Sequence, residues 1–112
     1  PSHFRADYDL QHQGARDADY RNSGYSRGHM APAADFAWST PAVRATFLLS
    51  NAVPQRQNVN AGIWARLESF VRRLTALSDS VHVFSGPIFE GEPSFIGPNR
   101  VAVPSHFFKV LL

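Results

Sequence analysis

Asn60-Ala61-Gly62-Ile63-Trp64-Ala65-Arg66-Leu67-Glu68-Ser69-Phe70-Val71-Arg72-Arg73-Leu74-Thr75-Ala76-Leu77 is the most strongly patterned stretch of this 112-residue chain. Ile63, Trp64, Leu67, Phe70, Val71, Leu74 and Leu77 recur at i, i+3, i+4 and i+7, the spacing that gives a helix one apolar side to bury. The pattern predicts a helix over about 60–77, with Asn58 or Asn60 near its N-cap. Asn60, Trp64, Glu68 and Arg72 fall at every fourth position, so on one helix they share a broad side over roughly 18 Å.

Working outward, Asn51 to Asn58 holds Pro54 and several amides and reads as a loop. Thr46-Phe47-Leu48-Leu49-Ser50 before it reads as a buried strand. Ser39-Thr40-Pro41 signals the start of a short helix, with Thr40 as N-cap and Pro41 at the first helical position. Residues 1–24 are polar and unpatterned, a loop with at most a short strand, and Tyr20-Arg21-Asn22-Ser23-Gly24 is a turn. On the other side, Val81–Gly86 reads as a strand ended by Gly86-Pro87. A loop over Glu90–Pro98 then leads to two β-rich runs, Arg100–Val103 and His106–Leu112. The order of elements indicates an α+β fold, with 1–112 as a single domain.

Composition narrows the class. The chain is 44% hydrophobic and 18% charged, with a net charge of +2, as expected of a globular protein with a modest core. From Arg21 onward nine Lys and Arg face five Asp and Glu, and ten of the eleven basic residues are arginine. Arginine's planar fork suits phosphate, although a solvated basic surface accounts for the same count. The absence of cysteine excludes disulfides, thiolate-held zinc and thiol nucleophiles. No apolar run approaches the roughly 18 residues of a membrane span. The N-terminus shows no signal or transit peptide, and a start without Met reads as a processed product or a fragment.

The chemistry-bearing stretch is Ser26-Arg27-Gly28-His29-Met30-Ala31-Pro32. On a strand, Arg27 and His29 project to the same face. A neighbouring cation disfavours imidazolium, so Arg27 is expected to keep His29 neutral and able to accept a proton. Gly28 is expected to allow close approach of the backbone to a ligand. Across from His29, the side-chain oxygen of Asn60 is a hard donor suited to Mg²⁺, which keeps most of its waters and takes one or two protein oxygens. Glu68, about 12 Å further along the helix, would reach such an ion only through water, and Arg72 would face phosphate. Each residue also has a plainer reading: Asn60 as a cap, Trp64 as core, Arg72 as a solvated helix arginine. The remaining histidines, His3, His12, His82 and His106, show no paired spacing, so a histidine-built zinc domain fits worst.

Tyr25-Ser26-Arg27-Gly28-His29-Met30-Ala31-Pro32, Leu49-Ser50-Asn51, Pro54-Gln55, Asn60, Trp64 and Glu68, with Val101–Val110, resemble the blocks of the DNA/RNA non-specific endonucleases. That family has the ββα-metal (His-Me finger) fold, with an antiparallel sheet and one long helix. The resemblance implies that His29 is the general base and Asn60 the single direct protein ligand of Mg²⁺, for which Mn²⁺ can substitute. It implies that Glu68 holds the metal's water shell, that Arg27 and Arg72 bind the scissile phosphate, and that Asn51 and Gln55 shape the substrate site. The implied activity is sequence-nonspecific hydrolysis of DNA and RNA leaving 5′-phosphate ends. The resemblance also implies a homodimer, and a mitochondrial location in eukaryotes or export in bacteria. Ser26 stands where most members have Asp, as in the exo/endonuclease branch, which leaves endonuclease and exonuclease action both open. The region after Gly86-Pro87 is shortened relative to members that carry further sequence on both sides. The competing reading is a nucleic-acid-binding module that keeps the fold without turnover.

Overall fold

The computed structural model describes residues 3–11 and 13–112, so the reading of His12 lies outside the described residues. Helix α1 (Asp17–Tyr20) precedes strand β1 (Ser26–His29), and helix α2 (Thr40–Thr46) leads by a 3-10 turn into β2 (Ala52–Gln55). A one-turn helix α3 (Gln57–Asn60) and the long helix α4 (Ile63–Thr75) follow. The chain closes with β3 (Val83–Ile88), β4 (Ser94–Ile96), β5 (Val101–Val103) and β6 (His106–Leu111). Three antiparallel pairs result, β1 with β2, β3 with β6 and β4 with β5. The fold is therefore α+β, with β1, β2 and α4 forming the ββα unit. Among the described residues no helix is long and apolar enough to cross a membrane.

Several sequence expectations are corrected. The helix expected over 60–77 is broken at Ala61-Gly62, and Gly62, not an asparagine, caps α4. A Cβ on Gly62 would lie 2.3 Å from the Asn58 carbonyl oxygen, so the chain turns back on itself where only glycine fits. Asn60 therefore ends α3 and does not share a helix with Glu68 and Arg72. Of the apolar stripe, Trp64 and Val71 are buried, whereas Ile63, Phe70 and Leu77 are exposed. The strand expected at Thr46–Ser50 is the end of α2 and a 3-10 turn at Leu49–Asn51, with Leu48 making an isolated parallel bridge to Arg5. The cap of α2 is Ser39, whose Oγ accepts the Ala42 N–H at 3.3 Å, one residue earlier than expected.

The loop expected over 51–58 contains β2, and the loop over 90–98 contains β4. β3 does not end at Gly86-Pro87 but runs through them to Ile88. Gly86 is required there because the Phe108 ring would lie 2.7 Å from any Cβ at that position. The N-terminal region holds two helical turns, Tyr8–Leu10 and α1. The turn after Tyr20 is as expected, with Asn22 and Gly24 at φ 57° and 83°.

The core joins the two ends of the chain. Tyr20, Leu49 and Ile96 are buried together, packed by Phe4, Tyr25, Ala52, Val101 and Val103. Asp19, 1% exposed, accepts the Arg16 N–H at 2.7 Å, the Asn99 N–H at 2.7 Å and the Asn99 side-chain amide at 3.0 Å. This carboxylate fastens α1 to the 97–99 turn and so holds the ββα unit against β4 and β5.

Candidate active site

β1 carries His29 at its end, in register with Ala52, while Arg27 pairs with Pro54 and Gly28 with Val53. Pro54 cannot donate a hydrogen bond to the ladder, which is tolerated in this short edge pairing. α3 lies beside β1, with the Ser26 hydroxyl donating to the Gln57 side-chain oxygen. The first turn of α4 closes on the same strand: the Trp64 indole N–H donates to the His29 carbonyl oxygen at 3.3 Å. The fold thus brings the His29 end of β1 and the start of α4 into one corner, with the start of α3 beside the Ser26 end of the same strand. Trp64 is buried, as its plainer reading required, and is also the link between the two elements.

His29 sits against two rings, Phe4 at 4.6 Å and Phe47 at 4.7 Å between centroids, the latter edge-on at 88°. Its Nε2 is buried and has no hydrogen-bond partner among the described residues. Burial pushes the imidazole below the ordinary histidine range, so the neutral form dominates at pH 7. The expected cause was the charge of Arg27; the operating one is loss of water. Arg27 is itself neutralised, with Nη2 2.5 Å from the Asp17 carboxylate and its guanidinium 5.4 Å from the Tyr20 ring. Hydrogen bonds from Arg21 and Arg27 hold the Asp17 carboxyl below its usual range.

Gly28 meets a packing need. A Cβ there would lie 2.4 Å from Gln55 Oε1 and 2.9 Å from Gln55 Cβ. Gln55 is 1% exposed, with both amide atoms buried and unpartnered among the described residues, so it reaches solvent-borne substrate only if the pocket opens. Asn51 is a framework residue: its Oδ1 accepts the Ala31 N–H at 3.0 Å, and its Nδ2 donates to the Ala31 and Thr46 carbonyls, each at 2.9 Å. It staples the turn that leaves His29.

Along α4, Glu68 is half-buried. Burial raises its pKa while Lys109 and Arg72 oppose the rise. Lys109 donates to Ser85 Oγ at 2.8 Å and lies 4.6 Å over the Trp64 ring, which sets a cation beside the same helix face. Arg72 reaches Asp35 at 3.3 Å and Ser69 Oγ at 3.2 Å. Arg72 and Asp35 line a cleft of about 610 Å³ together with Phe36, Val71 and Val83. A second cleft of about 280 Å³, lined by Met30, Asp35, Asn51 and Ser85, continues it toward the turn after His29.

Sequence reasoning missed Phe4, Phe47, Asp17, Asp35 and Lys109. Lys109 is the single lysine of the chain, but neither it nor Asp35 carries a spacing signal that names its partner.

A half-buried, neutral histidine at the end of a two-stranded ribbon, its carbonyl held by the first turn of a helix that bears a carboxylate and an arginine, defines a ββα-metal nuclease fold. The chain belongs to the DNA/RNA non-specific endonuclease family, whose profile matches residues 1–112. It is 45% identical over 108 residues to mitochondrial endonuclease G of Homo sapiens, covering 88% of this chain and 36% of that protein. It is 46% identical over 108 residues to mitochondrial nuclease EXOG of Xenopus laevis, covering 88% of this chain and 30% of that one. Nuclease C1 of Cunninghamella echinulata is 45% identical over 105 residues, covering 85% and 42%. The solved crystal structure of the EndoG/EndoGI complex superposes with a TM-score of 0.83 at 41% identity, covering 87% of this chain and 44% of that one. The chain thus spans about a third of the length of the mitochondrial relatives named here.

Proposed function

We propose that this chain carries the hydrolytic centre of a metal-dependent nuclease that cuts DNA and RNA without sequence preference, leaving 5′-phosphate ends. The observation that carries the reading is His29, held neutral by loss of water where two strands and the first turn of a helix meet. The neutral ring accepts a proton from water as the water oxygen bonds to phosphorus in line with the 3′-oxygen; the P–O3′ bond breaks and the phosphate stays on the 5′ side. Arg72 supplies positive charge to the phosphoryl oxygens by exchanging Asp35 for phosphate, and Arg27 can do the same by exchanging Asp17. Contacts of this kind read backbone and not bases, which supports low sequence preference.

The donor set fits a hard, mostly hydrated cation. Among the described residues no three His, Asp or Glu side chains converge, so a protein cage of carboxylates is not what the corner offers. Asn60, at the end of α3, would supply one amide oxygen, and Glu68, on the following helix α4, would accept from coordinated water. Mg²⁺ bound there would supply charge for the phosphoryl and leaving oxygens, with Mn²⁺ as a substitute.

The test is incubation of the purified chain with supercoiled circular DNA and with RNA, with Mg²⁺, with Mn²⁺ and with EDTA. Metal-dependent nicking of closed circles, abolished in His29→Ala and strongly reduced in Asn60→Ala, is the expected result. His29→Ala cutting at the parental rate overturns the base. DNA binding without cleavage under every metal condition would instead make the chain a binding module.

A further inference from the structure

The mechanism uses His29 but not the rings around it. Phe4, Phe47 and His29 form a three-ring cluster, with Phe4 and Phe47 themselves 5.1 Å apart and tilted at 60°. Phe47 follows α2, and Phe4 comes from the N-terminal segment. That segment is strapped to the α2 end by backbone bonds from Arg5 N to the Phe47 carbonyl at 2.9 Å and from Leu49 N to the Arg5 carbonyl at 2.8 Å. Two side-chain bonds reinforce it, Arg5 Nη1 to the Arg44 carbonyl at 3.0 Å and Ser50 Oγ to Asp7 Oδ2 at 2.6 Å.

An imidazole tethered only at Cβ swings about two side-chain torsions, and χ2 of histidine has broad wells. Nothing in the ring's own hydrogen bonding stops that swing at Nε2, which has no partner among the described residues. Two aromatic neighbours at nearly perpendicular and tilted angles do stop it, because a rotation of the ring drives its edge into one of them.

We infer that Phe4 and Phe47 are positioning residues that clamp the His29 ring in the orientation from which it accepts its proton, and that the N-terminal strap is therefore a working part of the site. The inference rests on the proposed role of His29 as base. Loss of one clamp member leaves the base present but mis-aimed, a defect that lowers kcat and leaves substrate binding alone.

The experiment compares the parent chain with Phe4→Leu, Phe4→Tyr, Phe47→Leu and His29→Ala, by steady-state cleavage with Mg²⁺ and by proton NMR of the His29 ring. The expected outcome is ring-current shifts on the His29 ring protons in the parent that change in Phe4→Leu by the contribution of the missing ring. A fall in kcat of about tenfold to a hundredfold at unchanged KM should accompany the change. Phe4→Tyr, which keeps the ring, restores both, and Phe47→Leu reproduces the defect if Phe4→Leu does not fold. Unshifted His29 protons in the parent overturn the clamp, as does Phe4→Leu turning over at the parental rate while His29→Ala is dead. A parent without metal-dependent cleavage, or an active His29→Ala, overturns the base first and the clamp with it.

Discussion

Gly28→Ala distinguishes two roles for the glycine before the base. The added Cβ would lie 2.4 Å from Gln55 Oε1 and 2.9 Å from Gln55 Cβ, against an ordinary contact of at least 3.4 Å. The amide oxygen can rotate away, but the Gln55 Cβ is fixed to its backbone, so β1 and β2 must separate there by about 0.5 Å. Overpacking of this kind costs about 1–3 kcal/mol. At roughly 4 °C per kcal/mol for a chain of this size, Tm should fall by about 4–12 °C. His29 is the next residue on the displaced strand, and a shift approaching 1 Å at a catalytic group costs up to about a hundredfold in rate. A drop in kcat of tenfold or more is therefore expected, with the Kd for DNA unchanged. Differential scanning calorimetry, fluorescence anisotropy with labelled DNA and a nicking assay read the three quantities separately. Gln55→Ala does not rescue the variant, since the obstructing Cβ remains. A Gly28→Ala chain with parental Tm and weakened DNA binding would refute the packing argument and restore the view that glycine admits substrate.

Three further outcomes follow from the same geometry. Burial lowers the His29 pKa, so kcat/KM should hold level as pH falls to about 6.5 and drop only below it, as the ring protonates; an acid limb centred at or above that value would contradict the burial. The sign for stability is the same, because the unfolded chain binds this proton more readily than the folded one: stability is present above the unfolded value and is lost as pH falls through the folded one. Asp19→Ala strands three donors in a buried site and should cost about 3–5 kcal/mol, seen as a large fall in the urea midpoint at constant m-value. Asp35→Asn breaks a partly exposed pair worth at most about 1 kcal/mol, so Tm should barely move. The freed Arg72 should tighten DNA binding at low salt and lose that advantage as salt rises, a titration in which equal affinities throughout would count against phosphate exchange at Arg72.

The parts of the site that were legible from the chain are those encoded locally. The amphipathic spacing of Trp64, Leu67, Val71 and Leu74 marks α4 because side-chain projection repeats every 3.6 residues. The strand runs at Val83, Val101 and His106 were visible as β-rich sequence between turn residues. The errors lie where a local signal met a stronger contact. Phe47-Leu48-Leu49 has strand composition, yet Phe47 turns toward Phe4 and His29 and Leu49 enters the core, so that segment becomes a helix end and a 3-10 turn. Pro54 argued against a strand, yet β2 tolerates it because one short partner leaves its missing donor without consequence. Gly62 interrupts what periodicity read as a continuous helix, because the Asn58 carbonyl occupies the space a side chain would need.

Composition and order of residues alone were enough to establish an α+β chain, its one long helix and a motif that belongs to the DNA/RNA non-specific endonuclease family. The chain's three-dimensional path decided the state of each charged or titrating group. Arg27 meets Asp17 across ten residues, and Arg72 meets Asp35 across thirty-seven. His29 loses its water to rings that lie on either side of it in sequence. Periodicity is written in neighbouring side chains, whereas burial and ion pairing depend on which distant segments arrive at the same place, and that is where the chemistry of a neutral base is settled.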